Sequence, residues 1–179
     1  MFRKILIVLA LAIAVFLVIA SRQPDHFSTT RSATIQAPPA TVFALVNDFH
    51  KWEDWSPWAK LDPNAKNSFD GPTEGVGAGF GWSGNGDVGE GHMKITESKP
   101  AELIRIDLVF KRPMEGTNLT VFTFKPEGTG TVVSWTMSGE NNFLSKMVSV
   151  VMNCDKMMGD WFEKGLASMK AKAEATPKA

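Results

Sequence analysis

From Ile5 to Ala20 the chain runs through 16 residues of Ile, Leu, Val, Ala and Phe without one polar side chain. A helix of a soluble core keeps a polar stripe for water, so this stretch stands apart from whatever folds behind it. A spanning helix needs about 17 to 25 residues, and the run falls just short unless Phe2 and Ser21 are recruited at its ends. Its length leaves an uncleaved anchor and a cleavable signal both open. Val18-Ile19-Ala20 before Ser21 fits a signal's small-residue cut site, but the run exceeds the roughly 7 to 15 residues of a signal core, which favours an anchor over residues 1–21. Arg3 and Lys4 favour a cytoplasmic N-terminus, an asymmetry that Arg22 weakens, and so place the remainder on the extracytoplasmic, periplasmic side. No cysteine follows the run, which excludes a lipoprotein anchor.

Residues 22–26 read as a polar linker, 27–174 as one domain and 175–179 as a disordered tail. With 44% apolar and 21% charged residues the chain has the make-up of a globular protein. Without residues 1–20 it carries 17 basic against 19 acidic side chains, the wrong balance for nucleic acid. Cys154 is the sole cysteine, so no intrachain disulfide forms. His26, His50 and His92 lack metal-ligand spacing, and no metal site is expected. The glycines between Gly75 and Gly86 precede no helix, so they read as strand turns and not as a phosphate cradle, and no cofactor is implied.

Along the domain, Phe27–Gln36 has the alternation of a strand, which Pro38-Pro39 ends. Val42, Phe43, Val46 and Phe49 recur at helical spacing, and Lys51–Trp58, with three tryptophans in seven residues, reads as a second short helix or turn. From Phe69 to Gly139 short alternating segments separated by glycine turns predict an antiparallel meander. Ile104, Ile106, Leu108 and Phe110 share one face of a strand, whereas Leu119–Phe124 is apolar on both faces and has no assigned orientation. Asn142 to Glu174 is expected to be one long helix. Leu144, Met147, Val148, Val151, Cys154, Asp155, Met158, Phe162, Gly165, Leu166 and Met169 fall within about 120° of its circumference, a core-facing stripe.

This order of elements is that of an α+β helix-grip fold, and the residues match it. Trp52-Glu53-Asp54-Trp55-Ser56-Pro57-Trp58, Gly75-Val76-Gly77-Ala78, Trp82-Ser83-Gly84-Asn85, Val88-Gly89-Glu90-Gly91, and Gly159 with Phe162–Leu166 resemble the polyketide cyclase/dehydrase-like branch of the SRPBCC (START-like) superfamily. The resemblance implies a curved antiparallel sheet of about seven strands around a long C-terminal helix, with two short helices after the first strand and a hydrophobic cavity between sheet and helix. Members range from lipid carriers to cyclases and co-chaperones, so fold does not fix function.

Trp55, Trp58, Phe80, Trp82, Met93, Trp135, Met137, Met147, Val151, Asp155, Met158 and Phe162 are the candidate lining of such a pocket. Tryptophans supply large apolar contact with one polar handle, and methionines adapt to ligands of variable shape. Packing of an ordinary core is the favoured reading of the tryptophans and explains the methionines equally well. Asp155 is the one candidate catalytic residue: a carboxylate in an apolar stripe should have a raised pKa, unless it is a structural acid with hydrogen-bond partners. His92 and Glu90 fall on the outward phase of their strand. These readings favour a membrane-tethered protein that binds a hydrophobic small molecule, lipid or polyketide/isoprenoid-like. A cyclase or dehydratase acting on a hydrophobic carbonyl compound is one alternative, and a protein-interaction module at the membrane, of unknown partner, another.

Overall fold

The computed structural model describes residues 2–175; of the expected tail, 176–179 lie outside the described residues. The elements are α1 (Phe2–Ser21), β1 (His26–Ile35), α2 (Pro39–Asn47), a 3-10 helix (Phe49–Asp54), β2 (Lys66–Asp70), β3 (Gly79–Ser83), β4 (Glu90–Lys99), β5 (Leu103–Arg112), β6 (Gly116–Glu127), β7 (Gly130–Glu140), α3 (Phe143–Val151) and α4 (Cys154–Ala175). The seven strands form one curved antiparallel sheet in the order β1-β7-β6-β5-β4-β3-β2. Hairpin neighbours pair in sequence, and only β1 reaches across to β7, from His26↔Glu140 to Ile35↔Thr131. α2 and the 3-10 helix carry the chain from β1 to the opposite sheet edge.

Pro39 opens α2, where its missing N–H costs nothing. Asp48 ends that helix and caps the next, accepting from the His50 amide at 2.9 Å. The period-two pattern then fixes which strand face is buried. Met93 and Ile95 on β4, Ile104, Ile106 and Leu108 on β5, and Val133, Trp135 and Met137 on β7 all turn inward. β6, apolar on both faces, is oriented by its neighbours: Thr120, Phe122 and Phe124 are buried and Leu119, Val121 and Thr123 face outward, half-buried. Each fully buried Ile, Leu or Phe contributes roughly 1.5–3 kcal/mol.

The C-terminal helix departs from expectation. It is broken at Met152, whose φ of −122° and ψ of 137° are extended. Asn153 is the cause: its Oδ1 accepts from the Lys156 amide at 2.9 Å and starts α4 afresh, a capping role that asparagine fills better than a helix interior. α4 runs alongside β1 and against α2 and the 3-10 helix, burying Gly159, Phe162, Gly165, Leu166, Met169 and Ala173. α3 leaves the sheet and lies against α1. The continuous stripe from Leu144 to Met169 is therefore two faces pointing different ways, and only the α4 part belongs to the core.

Candidate functional site

Because α4 follows β1, the concave face of the sheet's other half is lined by rings that are not fully covered. Phe69 on β2 pairs with Phe80 on β3, and Phe80 with Met93 on β4. Trp82 pairs with Gly91, which is followed across the sheet by Phe110. The rings form a row: Phe69 to Phe80 at 5.3 Å, Phe80 to Trp82 at 6.0 Å and Trp82 to Phe110 at 5.8 Å between centroids. Gly91 makes the row possible, since a Cβ there would stand 2.5 Å from the Trp82 ring. Phe80, Trp82 and Phe110 are half-buried and Phe69 is 46% exposed. The Trp82 indole donates to the Val88 carbonyl at 2.9 Å, which fixes the ring in its plane.

Behind the row lies a closed aromatic cluster. Trp135 and Phe162 stack at 4.2 Å with planes 9° apart. Phe122 lies 4.8 Å from Trp135, Trp55 meets it edge-on at 5.7 Å, and Trp58 does the same at 5.8 Å. Trp52 and Trp55 donate to the carbonyls of Val46 (3.0 Å) and Leu45 (2.9 Å). The Trp135 Nε1, by contrast, is buried and has no hydrogen-bond partner among the described residues. A buried donor left unpaired is costly, so this one marks a point in the interior where an acceptor would be stabilised.

At the other end of the row His50 stacks on Phe69 at 4.0 Å. Its Nδ1 is 2.9 Å from Oδ1 of the buried Asp48, a pairing that holds the imidazole in one orientation. Phe49, His50, Phe69, Asp70 and Ala78 line a hollow of about 170 Å³ there. A shallower groove of about 1020 Å³ runs along the opposite strand ends past Phe27, Asn118, Leu119 and Asn142.

The predicted pocket residues separate into three groups. Trp55, Met93, Trp135, Met137 and Phe162 are core. Trp58, Phe80, Trp82 and Met158 are half-buried and pack against that core. Met147 and Val151 sit on α3, away from the concave face, because the break at Met152 turned their part of the stripe outward; Val151 is 76% exposed. Asp155 is at the surface. Arg31 Nη2 donates to its Oδ2 at 3.2 Å, and hydrogen bonds first from Arg31 and then from Thr29 hold the carboxyl below the usual carboxylate range. The raised pKa expected of a buried acid is thus reversed, and with it the ground for an acid-base role. Glu90 and His92 do face outward, on Arg112 at 2.9 Å and Asp70 at 2.8 Å. Phe69, Phe110 and His50 were missed as site residues; the alternation that placed Ile104 to Leu108 inward also covers Phe110, but Phe69 stands in a polar strand.

The family model described as polyketide cyclase / dehydrase and lipid transport matches residues 26–174. The chain belongs to that family. No curated protein matches the sequence. Solved structures similar to this polyketide cyclase/dehydrase-family chain include a Chromobacterium violaceum protein, 17% identical, covering 86% of this chain and 100% of its own, with a TM-score of 0.60. A Mesorhizobium loti protein is 15% identical, covering 85% and 100%, with a TM-score of 0.63. The Aha1 dimer of Colwellia psychrerythraea is 18% identical, covering 83% and 97%, at 0.57. At these identities the likeness is one of fold: the helix-grip architecture of the family is shared, and the aromatic row is described for this chain alone.

Proposed function

We propose that this chain is a membrane-tethered binding protein that holds a hydrophobic small molecule, lipid or polyketide-like, against the concave face of its sheet. The observation that carries the reading is the row Phe69, Phe80, Trp82 and Phe110, four linked rings left incompletely covered on the face that the family uses to enclose apolar ligands. Half-covered aromatic surface next to a closed core favours an apolar occupant. The hollow of about 170 Å³ at the His50 end is smaller than the roughly 300–1,000 Å³ of ordinary ligand sites, so one end of the molecule enters it and the rest lies along the rings. The tether is α1. It is apolar from Ile5 to Ala20, and Ala20 alone is buried, a surface that lipid accommodates and water does not. Arg3 and Lys4 before the run support an extracytoplasmic domain.

The test uses the full chain in phosphatidylcholine/phosphatidylglycerol vesicles containing a diazirine-labelled fatty acid. After photolysis, label is expected on the β3 and β5 peptides that carry Phe80, Trp82 and Phe110. Label confined to α1 and α3 would show bilayer proximity without a binding site and would sink the reading. Trp82→Ala should remove most of the β3 and β5 labelling while the circular dichroism spectrum is retained.

A further inference from the structure

α3 leaves much of its apolar side open: Phe143, Leu144 and Val151 are exposed, and Met147, Val148 and Val150 are half-buried. At 100° per residue Phe143, Leu144, Met147, Val148, Val150 and Val151 occupy about 160° of its circumference, with Ser145, Lys146 and Ser149 opposite. Phe143, Leu144 and Val151 are 50%, 49% and 76% exposed, and Met152 and Met157 just beyond are 47% and 46%. The Lys146 side chain is only 12% exposed and is paired with Asp25 in the linker. A helix that meets water is built the other way round.

The position of α3 says what covers it. Phe16 and Ala20, four residues apart, are the two residues of α1 that are not exposed, and α3 is the element that α1 lies against. The contact is therefore at the C-terminal end of α1, where a spanning helix leaves the bilayer. The Asn141 amide donates to the Asp25 carbonyl at 2.7 Å and its side-chain amide to the Pro24 carbonyl at 3.1 Å, which fastens the start of α3 to the linker at that depth. The exposed Phe143, Leu144 and Val151 are thus carried on the element that α1 lies against. The β5–β6 hairpin opens at the same end of the sheet, through Phe110↔Gly116 and Asn118↔Gly139, and carries Met114, 44% exposed.

We infer that α3, with the first turn of α4, lies in the headgroup layer of the bilayer with Phe143, Leu144 and Val151 in the acyl boundary. This rests on α1 being a membrane span. Amphipathic helices bind in this plane, the apolar face sinking about 5–10 Å. Trp82 and Phe110 stand at the strand ends on this side of the domain, so the aromatic row begins next to the lipid and an apolar molecule reaches it without crossing water.

The experiment is depth measurement on the full chain in phosphatidylcholine/phosphatidylglycerol vesicles. In a Cys154→Ser background, single cysteines L144C, V151C, L9C and T129C are labelled with an environment-sensitive nitrobenzoxadiazole dye. Emission at positions 144 and 151 is expected to shift to the blue and to be lost to shallow lipid-borne nitroxides, position 9 to be lost to deep ones, and position 129, at the opposite end of the sheet, to remain aqueous. Position 9 in lipid with 144 and 151 in water would overturn the interfacial helix and leave the tether standing. Position 9 in water would overturn both. A blue shift at 144 and 151 that ignores the nitroxides and grows with protein concentration would assign the face to a second copy of the chain and overturn the inference too.

Discussion

The guanidinium of Arg31 lies where a side chain on residue 159 would begin: a Cβ added to Gly159 would stand 2.0 Å from Nη2. From that place Arg31 reaches Asp155 and Glu163, each at 3.2 Å, and so pins α4 to β1. A glycine inside a helix ordinarily costs about 1 kcal/mol against alanine. Here Gly159→Ala is expected to yield none of that gain, and to lower the urea midpoint, because the guanidinium must leave both carboxylates. In an Arg31→Ala background the same substitution should stabilise by about 1 kcal/mol. The change of sign across the double-mutant cycle is the measurement, and additivity would refute the coupling.

Gly165 is tighter and less forgiving. A Cβ there would lie 2.8 Å from the Trp135 ring and 3.0 Å from the Pro57 ring, both rigid. Overpacking costs about 1–3 kcal/mol, against the ~1 kcal/mol that alanine gains in a helix. Gly165→Ala should therefore fail to stabilise the full chain and cost it up to about 2 kcal/mol in urea unfolding.

The acid limb of stability has a defined direction. Asp155 is held below the usual carboxylate range by Arg31 and Thr29, and Asp25, Glu90 and Glu97 are lowered by Lys146, Arg112 and Lys99. A group with a depressed folded pKa contributes stability that is whole above its unfolded value, about 4 for a carboxylate, and is lost as pH falls through the folded one. The contribution of these four carboxylates should be whole down to about pH 5 and be lost as the pH falls below about 4. Asp155→Asn should make that decline shallower, and leave labelling of the concave face by the diazirine fatty acid unchanged. Loss of labelling would return Asp155 to the site.

The tryptophans offer a comparison within one chain. Trp55→Phe removes a donor and strands the Leu45 carbonyl that it served, whereas Trp135→Phe removes a donor that has no partner among the described residues. Both lose indole packing in the same cluster. Trp135→Phe should accordingly be the milder, by about 1 kcal/mol; equal losses in thermal or urea unfolding would mean that the Trp135 N–H is satisfied.

Much of this was legible in the residues. Sixteen apolar residues in a row name a helix with no water-facing stripe, anchor or signal, and period-two alternation in β4, β5 and β7 names the buried face because a strand has only two. The composite motifs around Trp52, Gly75, Trp82 and Gly159 identified the helix-grip family, and the family match over residues 26–174 agrees. Where periodicity was silent, as on β6, pairing with β5 and β7 decided the face.

What only the tertiary structure decided is where the C-terminal stripe points. A helical period is a property of the backbone and continues across Asn153 on paper, whereas a cap is a local competition that one asparagine side chain wins by taking the Lys156 amide. That single bond divides the stripe, sends Met147 and Val151 outward with α3, and leaves Asp155 in the first turn of α4 within reach of Arg31, a residue 124 positions away. The sequence determined the elements and their buried faces because those follow from local chemistry. The partners of a charge and the direction of a helix after a break follow from what lies opposite in space, which no periodicity records.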